Sequence, residues 1–356
     1  MSHFLKRQLK IITGFVVGAA FIIWFASRLN WSAVWSDLLS ADLKLIIVAT
    51  LLISLTYLIR SFRWQALLAP MKKTTISHLF AANAIGFAAI FLFGRAGEFV
   101  RPVIASMRER IKFTVTLATI LIERVFDSIT VVVFFSLGLL FFNYDIADPD
   151  SRRIIHDLLP VAYFFIAVCV TGIILLVFLS RKEHTPSPAI KGTGFKKWFK
   201  SHLSHLLYNL ITGLRVLRDR KALILTVSQT LLLWACVGLA TYLVLRALNV
   251  RLTTTQVVFV LGFEMVGSTI PTPGGAAGAF HTAAAAGLRL LGVETNLAAS
   301  CAIILHLVTF APSVIFGGFY VIRDGVSISA LRNLGEDLSE HPEQLRLNAD
   351  KEPSIP

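Results

Sequence analysis

Charge is scarce in this sequence. Only 15% of its 356 residues are charged, against 55% that are hydrophobic, whereas a soluble domain carries about 25% charged residues. A mean hydropathy of +0.71 would leave large apolar patches on any water-soluble globule of this length. Acidic residues are the scarcer sign, 21 Asp and Glu against 34 Lys and Arg, for a net charge of +13. Cysteine is scarce too. Cys169, Cys236 and Cys301 all fall inside apolar runs, which excludes a disulfide framework and any Cys/His metal spacing. No H-E-x-x-H, G-x-S-x-G or P-loop pattern occurs. The longest polar stretch, residues 180–221, is too short for a catalytic domain. Nothing in the chain calls for a metal or other cofactor.

What the sequence has instead is apolar runs of membrane-spanning length. They do not alternate polar with apolar residues, as barrel strands must. The expected fold class is an all-α polytopic membrane protein. Six spans are predicted: about Ile11–Ser27, Leu45–Phe62, Phe113–Phe142, Leu158–Leu179, Ala222–Leu245 and Leu297–Ile322. The first is read as a retained helix rather than a signal peptide. Two shorter stretches, Ile76–Phe93 and Gln256–Ile270, end in glycine-rich breaks.

Basic residues set the expected orientation. Ile76–Ser106 is flanked by arginine and lysine on both sides, so it is predicted to enter from the cytoplasm and return. Residues 256–291 are predicted to do the same from the outside. With both termini cytoplasmic, 26 of the 34 Lys and Arg lie inside, 7 outside, and Arg124 within a span. The basic excess then serves an anionic inner leaflet, and no nucleic-acid partner is expected. The membrane domain spans residues 1–325, with halves of about 1–180 and 222–325 around a basic cytoplasmic loop at 180–221. The polar tail, 326–356, reads as disordered. Two interrupted segments in inverted halves point to a binding site near the midplane.

Three places carry the candidate chemistry. In Gly94-Arg95-Ala96-Gly97-Glu98-Phe99-Val100-Arg101, a helix starting near Ala96 would expose free amides that favour an anion. Arg95, Glu98 and Arg101 recur at three-residue spacing, and arginine suits phosphate. The competing reading is a basic cytoplasmic end with a local Arg95–Glu98 pair. Within Phe113–Phe142 stand Glu123, Arg124 and Asp127. Each such charge costs about 2.5–3.5 kcal/mol at a helix centre, so all three are expected to face the protein interior, with Arg124 reaching Asp127. They form either a structural lock between helices or a cavity wall that grips a headgroup or relays a proton. In Pro271-Thr272-Pro273-Gly274-Gly275-Ala276-Ala277-Gly278, Pro273 suits a helix start and Gly274 and Gly275 leave amides uncovered. Glu264, His281 and His306 are further polar groups within apolar runs, where histidine is commonly a packing residue.

Taken together, FGRAGEFVRP, ATILIERVFD and PTPGGAAGAF resemble the lysylphosphatidylglycerol synthase transmembrane region, also called the flippase-like domain family, over about residues 5–325. The resemblance implies a module of the bacterial or archaeal cell (inner) membrane that handles lipids, and no aminoacyl-transferase domain follows in this chain. The expected function is a flippase or transporter of a polar or anionic lipid, with phosphate-bearing membrane lipids as partners. The alternative is a non-catalytic partner subunit, or a membrane enzyme, of envelope lipid or glycan synthesis. Enzymatic activity is not expected.

Overall fold

The computed structural model describes residues 20, 23–27, 29–140, 149–181, 220–270 and 274–325. The predicted span Ile11–Ser27, the loop 180–221, the tail 326–356 and Pro271–Pro273 lie wholly or largely outside these.

All regular structure among the described residues is helical. In chain order the helices are α1 (Trp31–Ser40), α2 (Leu43–Leu68), α3 (Ile76–Phe93), α4 (Val100–Glu109), α5 (Phe113–Leu140), α6 (Pro149–Arg181), α7 (Arg220–Ala247), α8 (Thr254–Ser268), α9 (Ala277–Leu290) and α10 (Thr295–Arg323). A 3₁₀ segment, Gly94–Phe99, joins α3 to α4. Helix starts are chemically marked. Asp42 caps α2 by accepting from the amides of Lys44 and Leu45, and Thr253 with Gln256 forms a capping box on α8. Such caps satisfy amides that a helix leaves unpaired.

Among the described residues, four helices are long and apolar enough to cross a membrane: Leu43–Leu68, Ile76–Phe93, Lys221–Ala247 and Thr295–Arg323. Three contain predicted spans. The other, α3, is the arm that the charge pattern assigns to a hairpin. Predicted span Leu158–Leu179 falls within α6, 33 residues, and α5, 28 residues, covers predicted span Phe113–Phe142 up to Leu140, the last described residue of that stretch. α5 carries Glu123, Arg124 and Asp127 along its length.

Exposed side chains explain what surrounds the bundle. Leu51, Leu55 and Phe62 on α2, Ile224, Leu231 and Leu232 on α7, and Ile315, Phe319 and Ile322 on α10 are all exposed. Water would penalise this surface at about 25 cal/mol per Å², and a hydrocarbon solvent does not. The chain is an all-helical, multi-pass membrane protein.

α3 and α4 fold back on each other, as do α8 and α9. Gly94 turns the first pair, with φ 62° and ψ −140°, a region open to glycine. Gly97 then lies so close to α3 that an added methyl would sit 2.3 Å from the Ala89 carbonyl carbon. The open end of this hairpin is tied by Glu109. Its Oε1 accepts from the Thr75 amide at 2.9 Å and meets His78 Nδ1 at 2.8 Å, and its carbonyl accepts from Lys72 Nζ. α2 packs along α7, and α3 along α10. The largest buried cluster joins α2, α7, α8, α9 and α10.

Candidate functional site

Two polar centres lie inside the bundle. The first begins on α2. The sequence reading ends that span at Phe62, one residue short of Arg63. The helix instead continues to Leu68, because Trp64, Leu67 and Leu68 are fully buried and extend its apolar face. Arg63 is therefore drawn inside, with no exposed surface.

Arg63 donates to both Asp127 oxygens, at 2.6 Å to Oδ1 and 3.0 Å to Oδ2. This forked geometry is the strong form of an arginine–carboxylate pair. Its Nη1 also donates to Thr230 Oγ1 on α7 at 3.0 Å, and its Nε lies 3.6 Å from Glu123 Oε1. Arg101 reaches the other Glu123 oxygen, Nη2 to Oε2, at 2.6 Å. Its guanidinium lies over the Trp64 ring, 4.3 Å from the centroid, a favourable cation–π position. Gly86 leaves room for it, since a methyl there would stand 2.5 Å from Arg101 Cβ. Trp64 is fixed in turn by donating to Thr119 Oγ1 at 2.9 Å. Trp234 Nε1 approaches Asp127 Oδ1 at 3.4 Å, and Arg60 Nη1 lies 3.8 Å from Asp127 Oδ2. α2, α4, α5 and α7 thus meet at one network.

Several sequence expectations change here. Arg124 is exposed and makes no ion pair among the described residues. Glu123 and Asp127 share the buried face at i and i+4, and Arg124 lies about 100° around the helix from Glu123. Arg63 holds the place that Arg124 was expected to fill. Glu98 is exposed whereas Arg101 is buried and paired with Glu123, so the two do not form the expected aligned set. The α-helix starts at Val100, not near Ala96. Arg101 is engaged by Glu123 and is not a free anion ligand. The Arg95 side chain lies outside the described residues.

The second centre is where the hairpins touch. The amides of Gly274 and Gly275 both donate to the Phe91 carbonyl, at 2.7 and 3.2 Å. The expectation that these amides stand open for a phosphate is therefore corrected: the last turn of α3 occupies them. His306 Nε2 lies 3.3 Å from the Gly275 carbonyl. Its ring is 4.7 Å from His281 and 4.6 Å from Phe310. Phe91, Phe280 and Phe25 complete the enclosure. Gly94 and Gly97 are buried near the same tip. Helix α9 starts at Ala277, after Ala276 in the left-handed region, rather than at Pro273. Glu264 is separate from both centres: it is buried beside Thr241, and its Oε1 has no hydrogen-bond partner among the described residues.

Arg60, Arg63, Trp64, Thr230 and Trp234 are the network residues that sequence reasoning missed. A signal was available for three of them. Arg60, Arg63 and Trp64 lie at i, i+3 and i+4 in a helix whose apolar pattern runs past Phe62.

Known proteins resemble this chain. Residues 11–317 match the family model described as the lysylphosphatidylglycerol synthase TM region. The UPF0104 membrane protein PH1989 of Pyrococcus horikoshii is 26% identical over 341 residues, covering 90% of this chain and 98% of that protein. A match of that extent settles the family: the chain belongs to the lysylphosphatidylglycerol synthase transmembrane-region family.

Proposed function

We propose that this protein moves a polar or anionic lipid between membrane leaflets, as a transporter rather than an enzyme. The observation that carries the proposal is the network of Arg60, Arg63, Arg101, Glu123 and Asp127. Ionisable groups inside a membrane are expensive and mark substrate paths. Here they join both halves of the chain, through Arg63 on α2 and Thr230 on α7. Family membership supports a lipid-related role. In this reading α3–α4 and α8–α9 are re-entrant hairpins inserted from opposite faces. The contact at Phe91, Gly274 and Gly275 is then the place where opposing tips meet at the midplane, and both termini are cytoplasmic.

The test is headgroup-specific lipid scrambling by the purified protein in liposomes. Bleaching or extraction of labelled lipid from both leaflets, faster than in protein-free liposomes, is the expected result. Intact, correctly inserted protein with no effect on any headgroup would sink the proposal and favour a non-catalytic partner subunit. Labelling of Asp148→Cys from outside and Gly192→Cys from inside tests the orientation.

A further inference from the structure

The buried network does not balance its charge. Three guanidinium groups, Arg60, Arg63 and Arg101, face two carboxylates. All four carboxylate oxygens already face a guanidinium, those of Asp127 through hydrogen bonds and those of Glu123 through ion pairs alone. Both Asp127 oxygens accept from Arg63, and Glu123 divides its two between Arg63 and Arg101. Arg60 is left with one long contact of 3.8 Å to an oxygen that Arg63 already holds. Among the described residues it donates no hydrogen bond. Its guanidinium rests over Phe87, 5.1 Å from the centroid, and its side chain is 17% exposed. It therefore sits at the open edge of the network. Arg124 is exposed on the neighbouring helix α5, one turn before Asp127, the carboxylate that Arg60 contacts.

An uncompensated cation in an apolar medium is costly, unless an anion joins it. We propose that Arg60 and Arg124 are the two jaws of a binding site for a lipid phosphate. The proposal rests on the lipid-handling reading and names its substrate class. Arg60 lies eight residues, about 12 Å, before the end of α2, within the apolar depth of that helix. Leu58 and Phe62 on α2 and Val125 on α5 are exposed on the same two helices. A ligand that meets this site brings acyl chains against apolar side chains and a phosphate against arginine. The fork of each guanidinium suits phosphate oxygens, and Asp127 and Phe87 hold the Arg60 fork in place for it. Arg101, by contrast, is spent on Glu123.

The experiment uses the purified full chain in uncharged detergent. Short-chain phosphatidylglycerol, an uncharged glucosyl diacylglycerol and inorganic phosphate are titrated in turn. Binding is followed by native mass spectrometry and by the rise in Tm. Wild-type protein should bind phosphatidylglycerol at least tenfold tighter than the glycolipid. Arg60→Gln and Arg124→Gln should each weaken phosphatidylglycerol binding by about tenfold, the loss of one charge-assisted contact, with glycolipid binding unchanged. Arg124 is exposed, so Arg124→Gln tests the site even if Arg60→Gln fails to fold. Unchanged phosphatidylglycerol binding in a folded Arg124→Gln would overturn the proposal. So would inorganic phosphate binding as tightly as the lipid, which would make this a free-anion site. Arginine-dependent binding without scrambling would instead remove the transport reading and leave the site standing.

Discussion

The two hairpins have the same outline and opposite chemistry. The first, α3–α4, delivers Arg101 to a buried ion network, 2.6 Å from Glu123. The second, α8–α9, contributes no charge to its own tip; it brings Gly274, Gly275 and His281 against rings from α3 and α10. The first is held by a few strong, directional contacts whose loss leaves a charge stranded. The second is held by two amide hydrogen bonds to one carbonyl and by packed rings, each contributing little alone. In the transport reading proposed above, a device that grips a polar group while letting its halves part needs this division. Ion pairs are costly to break one partner at a time, so the charged centre stays rigid. Neutral hydrogen bonds of about 1 kcal/mol each are what a moving joint can give up.

This contrast predicts a large effect on one side and small ones on the other. Arg63→Gln removes the forked pair from Asp127, leaving it only the long contacts to Arg60 and Trp234, and takes one of two guanidinium neighbours from Glu123; it should destabilise the protein by about 3–5 kcal/mol, read as a large drop in Tm in detergent. Replacing the pair together, Arg63→Met with Asp127→Leu, should recover most of that loss. A double variant as unstable as the single one would mean that the pair is not the source of the cost. Gly97→Ala comes next. Its new methyl would press on the Ala89 and Ile90 backbone at 2.3 Å, and overpacking of this kind costs about 1–3 kcal/mol. A wild-type Tm in this variant would show that the 3₁₀ segment can move away.

The ranking also explains which parts of the molecule could be read in advance. Long helices were legible because each apolar run is longer than any soluble element needs, and the two breaks were legible because Gly94 and Gly274 interrupt such runs. Glu123 and Asp127 stood out as a pair on one face. Their partners did not, because Arg63 lies sixty residues away in sequence and looks like the basic end of a span. Pairing between helices depends on rotation and depth, which periodicity within one helix cannot supply. The same limit hid the fate of the glycine amides. A sequence shows that Gly274 and Gly275 offer donors, and only the packed tips show that Phe91 takes them.

On the neutral side of the comparison, His306→Phe keeps a ring of similar size against Phe310 and His281 and removes the contact to the Gly275 carbonyl. The expected loss is about 0.5–1.5 kcal/mol, with a correspondingly small fall in Tm. A loss as large as that of Arg63→Gln would mean that the tip junction is as rigid as the ion network, and the proposed division of labour would fail.

The smallest effect belongs to a residue that sequence alone ranks with the largest. Arg124 sits between Glu123 and Asp127 in the chain, at a depth where a charge facing lipid is costly. The helix nevertheless turns it away from both carboxylates, and Arg63 and Arg101 satisfy them instead. Arg124→Ala should therefore change stability by no more than about 0.5 kcal/mol, the usual range for a surface position. The decisive comparison is with Arg63→Gln measured in the same detergent. Equal losses would mean that Arg124 reaches a carboxylate in solution, and the network would have to be redrawn around it. A silent Arg124→Ala beside a crippled Arg63→Gln assigns the structural lock to α2, and leaves Arg124 free to meet a ligand.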